Sequence, residues 1–206
     1  MGDFTVVRPR DDADAQQASD WCNDLVTELT KSGHTKIADV NDQTPPTTRH
    51  ILNAFKPAAL IFYFGHGDEH NWLTNQAKTL DDSNVSVTKG KAVVSIACKT
   101  ACNLGPAAIT AGAVAWLGFT GKVAVIRPHK TRDPIGNAIV GALACLGNRG
   151  TMQQARDEIA KRCDQLTIDY DTGQFSTHPE HFLGYFGSMV MRDHVDVQGT
   201  PSHRPL

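Results

Sequence analysis

Residues 60–72, "LIFYFGHGDEHNW", drop from aliphatic and aromatic side chains into a histidine held between Gly65 and Gly67. Five apolar residues in a row without polar alternation read as a strand covered on both faces, which is the pattern of a parallel sheet. A chain that needed only to turn there would use Gly with Asn or Asp. An imidazole at that turn asks for a second explanation. A second run of the same kind, "KAVVSIA" at 91–97, ends on Cys98.

Outward from these two strands, the chain alternates strand and helix. "FTVV" at 4–7 is a short buried strand that stops before Pro9. From Asp12 to Lys31, the residues Ala15, Ala18, Trp21, Cys22, Leu25 and Leu29 recur at three- and four-residue steps, which predicts a helix with one buried stripe. "SGH" at 32–34 is its stop. "TKIADV" at 35–40 is a weaker strand, and "PPTTRHILNAF" at 45–55 is a short helix with prolines before it and threonine caps. Past Cys98, Asn103 and Pro106 mark a helix start and Gly112 its end. "AVAWLGF" and "KVAVI" read as one interrupted strand or two short ones. Helical patterns follow at 134–147 and 151–166, and "FLGYFGSMVMRDHVDV" at 182–197 resembles a closing strand. This rhythm predicts one α/β domain over residues 1–198, with a flexible tail at 199–206. The polar segment from Gly67 to Gly90 is the one long connection, expected as a surface insertion or as a functional loop that orders or moves on activation.

A chain of 206 residues with 40% hydrophobic content can bury a sizeable core. Its formal net charge of −2, with both signs mixed along the chain, offers no electrostatic footprint for nucleic acid or an anionic membrane surface. No apolar run approaches membrane-spanning length, the first residues lack a secretory pattern, and Val6 stands where a myristoylation motif wants Ser or Thr. Cys22, Cys98, Cys102, Cys145 and Cys163 form an odd, scattered set, unlike a secreted disulfide framework. The expected compartment is the cytoplasm. Cys22, Cys145 and Cys163 fall in helical or apolar patterns and read as core.

In an open parallel sheet, chemistry collects beyond the carboxyl ends of the strands. His66 and Cys98 both follow such ends, and neighbouring strands lie about 4.8 Å apart. A thiol acts as a nucleophile only as thiolate, and Lys99 and the helix start beyond it both favour negative charge. His66 can exchange protons near neutral pH. These are parts for acyl transfer through a thioester.

"YFGHG" followed by "VVSIACKTA" resembles the His-Gly and Ala-Cys motifs of the caspase-like (clan CD) cysteine peptidases, and most of all the small bacterial CHAT-type proteases. The likeness spans about residues 58–126. It implies a caspase-hemoglobinase-like three-layer sandwich, with a mostly parallel sheet of about six strands flanked by helices. It also implies a cysteine endopeptidase in which Cys98 is the nucleophile, His66 the proton carrier, and the N–H groups of Gly67 and Cys98 the oxyanion hole. No cofactor and no third catalytic side chain is required. The expected partners are a protein substrate and an activating or regulatory protein, in a bacterial defence or cell-death setting. Ile96 stands where caspases carry Gln, so an Asp-specific pocket is not supported; Asp68 and Asp133 are the acids offered for a basic substrate side chain. Two other readings stand beside this one. A non-catalytic member of the fold would act as a binding module. A zinc site would use His66, His70, Cys98 and Cys102, whose paired four-residue spacings allow a tetrahedral set.

Overall fold

Strand burial on both faces organises the molecule. A computed structural model describes residues 2–41, 48–74, 77–127 and 133–206. In chain order the elements are β1 (Asp3–Arg8), α1 (Ala13–Lys31), β2 (Thr35–Asn41), α2 (Thr48–Phe55) and β3 (Leu60–Phe64); then β4 (His66–Gly67), β5 (Asn71–Thr74), β6 (Ala77–Asp81), β7 (Ala92–Ile96) and α3 (Leu104–Thr110). After these come β8 (Ala115–Phe119), α4 (Pro134–Leu143), α5 (Met152–Asp171), α6 (His181–His194) and β9 (Val195–Gly199). The central sheet has the order β2-β1-β3-β7-β8-β9. Its first five strands run parallel, and β9 closes the edge antiparallel to β8.

Register and the two-residue period build two cores from one sheet. Phe4, Leu60, Ala92 and Ala115 lie side by side, and with Val6, Phe62, Val94 and Leu117 they face α1, α4 and α5. The opposite face carries Val7, Ile61, Tyr63, Val93 and Trp116, which pack with Ile51 and Phe55 of α2 and Leu104 and Ala108 of α3. Successive residues of β3 and β7 therefore belong to different layers. This double burial is what the unbroken apolar runs of the sequence encode. The stripe expected for α1, from Ala15 to Leu29, is buried at every position named.

Three expectations are corrected. Residues 181–194 form α6, and only 195–199 form the closing strand. The helix is stabilised by a seam of small residues at helical spacing: Gly184 sits against the Tyr170 ring and Gly187 against Ala124. Its outer face carries large apolar residues as well, with Phe182 76% exposed and Phe186 59% exposed, so the stretch reads as a continuous apolar run. "KVAVI" at 122–126 joins no ladder; its backbone bonds to side chains instead: the Val123 N–H meets Cys98 Sγ (3.4 Å), and the Ala124 N–H meets Met191 Sδ (3.4 Å). The described residues between 67 and 90 are not a structureless connection. They fold as the antiparallel sheet β4-β5-β6 followed by a 3₁₀ turn at 85–88. Trp72 anchors this sheet, stacked on Tyr63 at 4.3 Å between ring centroids, close to Phe55 and Trp116, and donating from Nε1 to Ser95 Oγ (2.9 Å).

The prolines and the first threonine expected before α2 lie outside the described residues. Residues 199–206, expected as a flexible tail, carry backbone bonds to the start of α5, from Met152 N–H to His203 O (3.0 Å) and from Gln153 N–H to Pro201 O (2.9 Å). Leu206 packs beside Gly2, so the first and last described residues meet at the amino-terminal edge of the sheet, opposite the strand ends that carry His66 and Cys98. No described helix is long and apolar enough to cross a membrane.

Candidate active site

Gly65 is glycine because of packing. A Cβ there would lie 2.6 Å from the Pro9 ring and 2.9 Å from the Tyr63 hydroxyl. That hydroxyl donates to the carbonyl of His66 (2.6 Å), with the Leu73 carbonyl 2.7 Å away, so β3 itself braces the turn that carries the imidazole. Gly67 is constrained from the other side, since its Cβ would come within 2.7 Å of Thr100 and 3.0 Å of Ala97. The His66 turn therefore lies directly on the loop that carries Cys98. Neither glycine has a positive φ. What they provide is close approach, not a left-handed backbone.

Hydrogen-bond alternation orients Gly67. Asp68 N–H donates to Asn71 O (3.0 Å), which makes 68–71 a hydrogen-bonded pair, so the next pair, Gly67 with Trp72, is a non-hydrogen-bonded one. The Gly67 N–H consequently turns away from β5.

Cys98 follows β7 by two residues, and the chain reverses immediately after it. Lys99 adopts φ +58°, a left-handed conformation that costs a non-glycine residue about 1 kcal/mol. Three bonds hold it there: Lys99 N–H to Gly121 O (2.8 Å), Cys102 N–H to Lys99 O (3.0 Å), and Lys99 Nζ to Glu69 Oε1 (3.2 Å). The thiol is half-buried, accepts from the Val123 N–H, and lies 3.9 Å from the Val123 carbonyl.

His66 and Cys98 line one cleft of about 100 Å³, together with Gly65, Ala15, Ala18, Asp14, Ile96, Val123 and Val125. The strands β3 and β7 bring the two groups to one rim from 32 residues apart. His66 Nε2 lies 2.7 Å from Asp12 Oδ2. Asp12 is also the N-cap of α1, its Oδ1 accepting from the N–H groups of Asp14 (3.0 Å) and Ala15 (2.8 Å). Desolvation pushes the Asp12 carboxyl upward, but the bonds from Ala15, His66 and Asp14 outweigh it and leave the group below the usual carboxylate range. A carboxylate on Nε2–H selects the tautomer with a lone pair on Nδ1, so Nδ1 is the nitrogen able to take a proton. Sequence reasoning missed Asp12. The start of the helix at Asp12 was legible, but a partner 54 residues away was not.

The other expected site residues lie elsewhere. Asp68 caps its own hairpin turn, accepting from His70 N–H (2.8 Å) and Asn71 Nδ2 (2.8 Å). Asp133 caps α4 through Gly136 N–H (2.8 Å) and accepts from Trp21 Nε1 (2.6 Å) and Gln17 Nε2. Neither lines the cleft. The zinc set is not assembled: His70 bonds to Asp82 (2.9 Å) and Asn103 (3.1 Å), and Cys102 donates to Thr120 O (3.3 Å). Among the described residues, no three His, Cys, Asp or Glu side chains converge as metal ligands. Asn103 precedes α3 as expected, yet its amide reaches His70 and Glu69 instead of capping the helix.

No protein-family model matches the sequence, and neither does any curated protein. Solved structures do match. The Arg-specific cysteine proteinase gingipain R superposes with a TM-score of 0.63 at 18% identity, covering 98% of this chain and 47% of that one. A chain of the complex of the Porphyromonas gingivalis RgpB pro- and mature domains gives 0.65 at 19% identity, covering 98% of this chain and 48% of that one. Separase from Saccharomyces cerevisiae, in complex with securin, gives 0.58 at 14%, covering 97% of this chain and 12% of that one. The chain thus spans about half the length of the gingipain structures, and what it shares with all three is the fold.

Proposed function

From the caspase-like fold common to these cysteine peptidases, we propose that the protein is a cysteine endopeptidase acting through Cys98 and His66, with Asp12 positioning the imidazole. The observation that carries this is the cleft lined by both reactive groups, with Asp12 occupying Nε2 and leaving Nδ1 to work.

The chemistry follows from those positions. Cys98 Sγ forms a bond to the substrate carbonyl carbon while its proton passes to His66 Nδ1. Negative charge gathers on the carbonyl oxygen, within reach of the Gly67 and Cys98 N–H groups. The C–N bond then breaks, and the amine leaves with the proton from Nδ1, giving a thioester. Water attacks the thioester, Nδ1 takes its proton, the acid product departs, and the thiol is restored. The Asp12 carboxylate keeps the ring in the required tautomer and stabilises the imidazolium between steps. A protein substrate and a regulatory protein partner fit this reading; pro-domain and securin complexes are known for the neighbours.

Digestion of a peptide library by the wild type, Cys98→Ala and His66→Ala tests it. Both variants should lose at least 10³-fold in kcat/KM with unchanged thermal unfolding. Undiminished cleavage by either rejects the assignment, and absence of cleavage by the wild type favours a non-catalytic binding module.

A further inference from the structure

The outer side of α6 carries an apolar face that no described residue buries. Phe182, Leu183, Phe186 and Val190 are all exposed, and steps of three and four residues align them in one stripe along the helix. The opposite side is fixed. Gly184 lies against Tyr170 and Gly187 against Ala124, Ser188 Oγ is 3.0 Å from Thr167 Oγ1, and Met191 Sδ accepts from the Ala124 N–H (3.4 Å). The helix therefore cannot roll to bury the stripe. Half-buried Tyr185, edge-on to Phe186 at 5.2 Å, widens the patch. An aromatic side chain buries about 150–250 Å² when covered, so at these exposures the stripe offers roughly 400 Å² of apolar surface. Contiguous apolar surface of that extent marks an interaction site. It equals the apolar core of a standard interface, which buries about 800 Å² per partner including its polar rim.

The pattern of the stripe selects its partner. Residues 182–191 contain no Asp, Glu, Lys or Arg, so a highly charged ligand finds no complement there. The flanking charges are mixed: Glu180 before the stripe, Arg192 and Asp193 after it, with Asp164 of α5 joined to Arg192 (2.9 Å). A membrane-seated helix would instead be lined by Lys and Arg. The stripe is complementary to itself. Phe186 stands at its middle, with Phe182 one turn before and Val190 one turn after. Two copies of α6 crossing antiparallel about a two-fold axis at Phe186 would set Phe186 against Phe186 and Phe182 against Val190. The two helix dipoles then oppose each other, and Glu180 of one copy comes to the Arg192 end of the other; a parallel crossing would put like ends together.

We propose that the protein forms a symmetric dimer through the outer side of α6, the occupant of this face being a second copy of the chain. None of the four stripe residues lines the cleft, so the face is separate from the candidate active site. The proposal stands whether or not the chain is a peptidase. Phe186, at the axis, is the anchor.

Sedimentation velocity of the chain at concentrations up to about 100 μM reads the assembly state. The wild type should sediment at twice the chain mass. Phe186→Asp sets two carboxylates against each other at the axis and should raise the dissociation constant about thirtyfold or more, with an unchanged circular dichroism spectrum. Phe186→Lys should do the same. An equal mixture of the two variants should restore the dimer, because residue 186 then meets an opposite charge across the axis. A wild type that stays monomeric throughout the range overturns the proposal. So does a dimer that Phe186→Asp leaves intact, which would seat the contact elsewhere, such as the edge of β9, and so does a mixture of the two variants that remains monomeric. Flotation with phosphatidylcholine vesicles tests a lipid surface: wild type that floats with them while monomeric in solution overturns the proposal. Should Phe186→Asp fail to fold, Leu183→Ser and Val190→Ser carry the same test, each expected to weaken the dimer.

Discussion

Asp12 uses its two carboxylate oxygens for two different jobs, and a single substitution separates them. Asn caps a helix as well as Asp does, so Asp12→Asn keeps Oδ1 on the Asp14 and Ala15 N–H groups and turns an amide N–H toward His66 Nε2. The ring must then carry its proton on Nδ1, the wrong tautomer for accepting one from Cys98. The expected outcome is a kcat lower by about 10²-fold or more with little change in thermal midpoint. Asp12→Ala should lose the cap too, at about 1 kcal/mol, read by urea unfolding. At this scale, the abrupt ends of two apolar runs pointed to His66 and Cys98, the two side chains that line one cleft. The sequence did not disclose Asp12 as the histidine's partner or Asp14 as a wall of the cleft, because α1 meets the His66 turn only after the sheet has folded.

Elements were legible in proportion to how one-sided their burial is. The stripe of α1 was complete. The strands β3 and β7 were read from runs that only double burial requires, whereas α6 exposes Phe182, Leu183 and Phe186 on its outer side, so its sequence runs apolar across both faces for most of its length. The sheet β4-β5-β6 was hidden for the opposite reason: its strands are two to five residues long, and much of its attachment rests on Trp72. Ties between elements are equally invisible in sequence, and that between β1, β2 and α1 is ionic. Arg8 reaches Asp39 with Nε (2.7 Å) and Nη2 (2.9 Å), and Asn23 with Nη1 (2.7 Å). Burial pushes the Asp39 carboxyl up, but the bonds from Arg8 and Lys36 more than reverse it, so the folded group ionises below the ordinary carboxylate value. Its contribution is therefore fully present above about pH 4 and lost as the pH falls through the folded value. Asp39→Asn should cost about 2–3 kcal/mol at pH 7. In urea unfolding the gap to the wild type should narrow steadily between pH 5 and pH 2; a gap independent of pH would mean that the pair adds nothing through its charge.

At the level of the whole molecule, one sheet separates two cores and carries His66 and Cys98 on the rim where its parallel strands end. The class of fold could be read from strand and helix alternation. The strand order could not, because β9 returns from the far end of the chain to pair with β8, and nothing local records that return. The contact between Gly2 and Leu206 has a practical consequence. A short Gly-Ser bridge between those two residues would close the chain into a ring without stretching any element. Opening that ring at the exposed turn after α5, between Gly173 and Gln174, would give a rewired polypeptide with the same neighbours in space. Such a permutant should unfold in one transition within a few degrees of the parent by calorimetry and show the same Cys98 alkylation rate. Its failure to fold would mean that the order of synthesis, and not the finished packing alone, determines how this sheet is assembled.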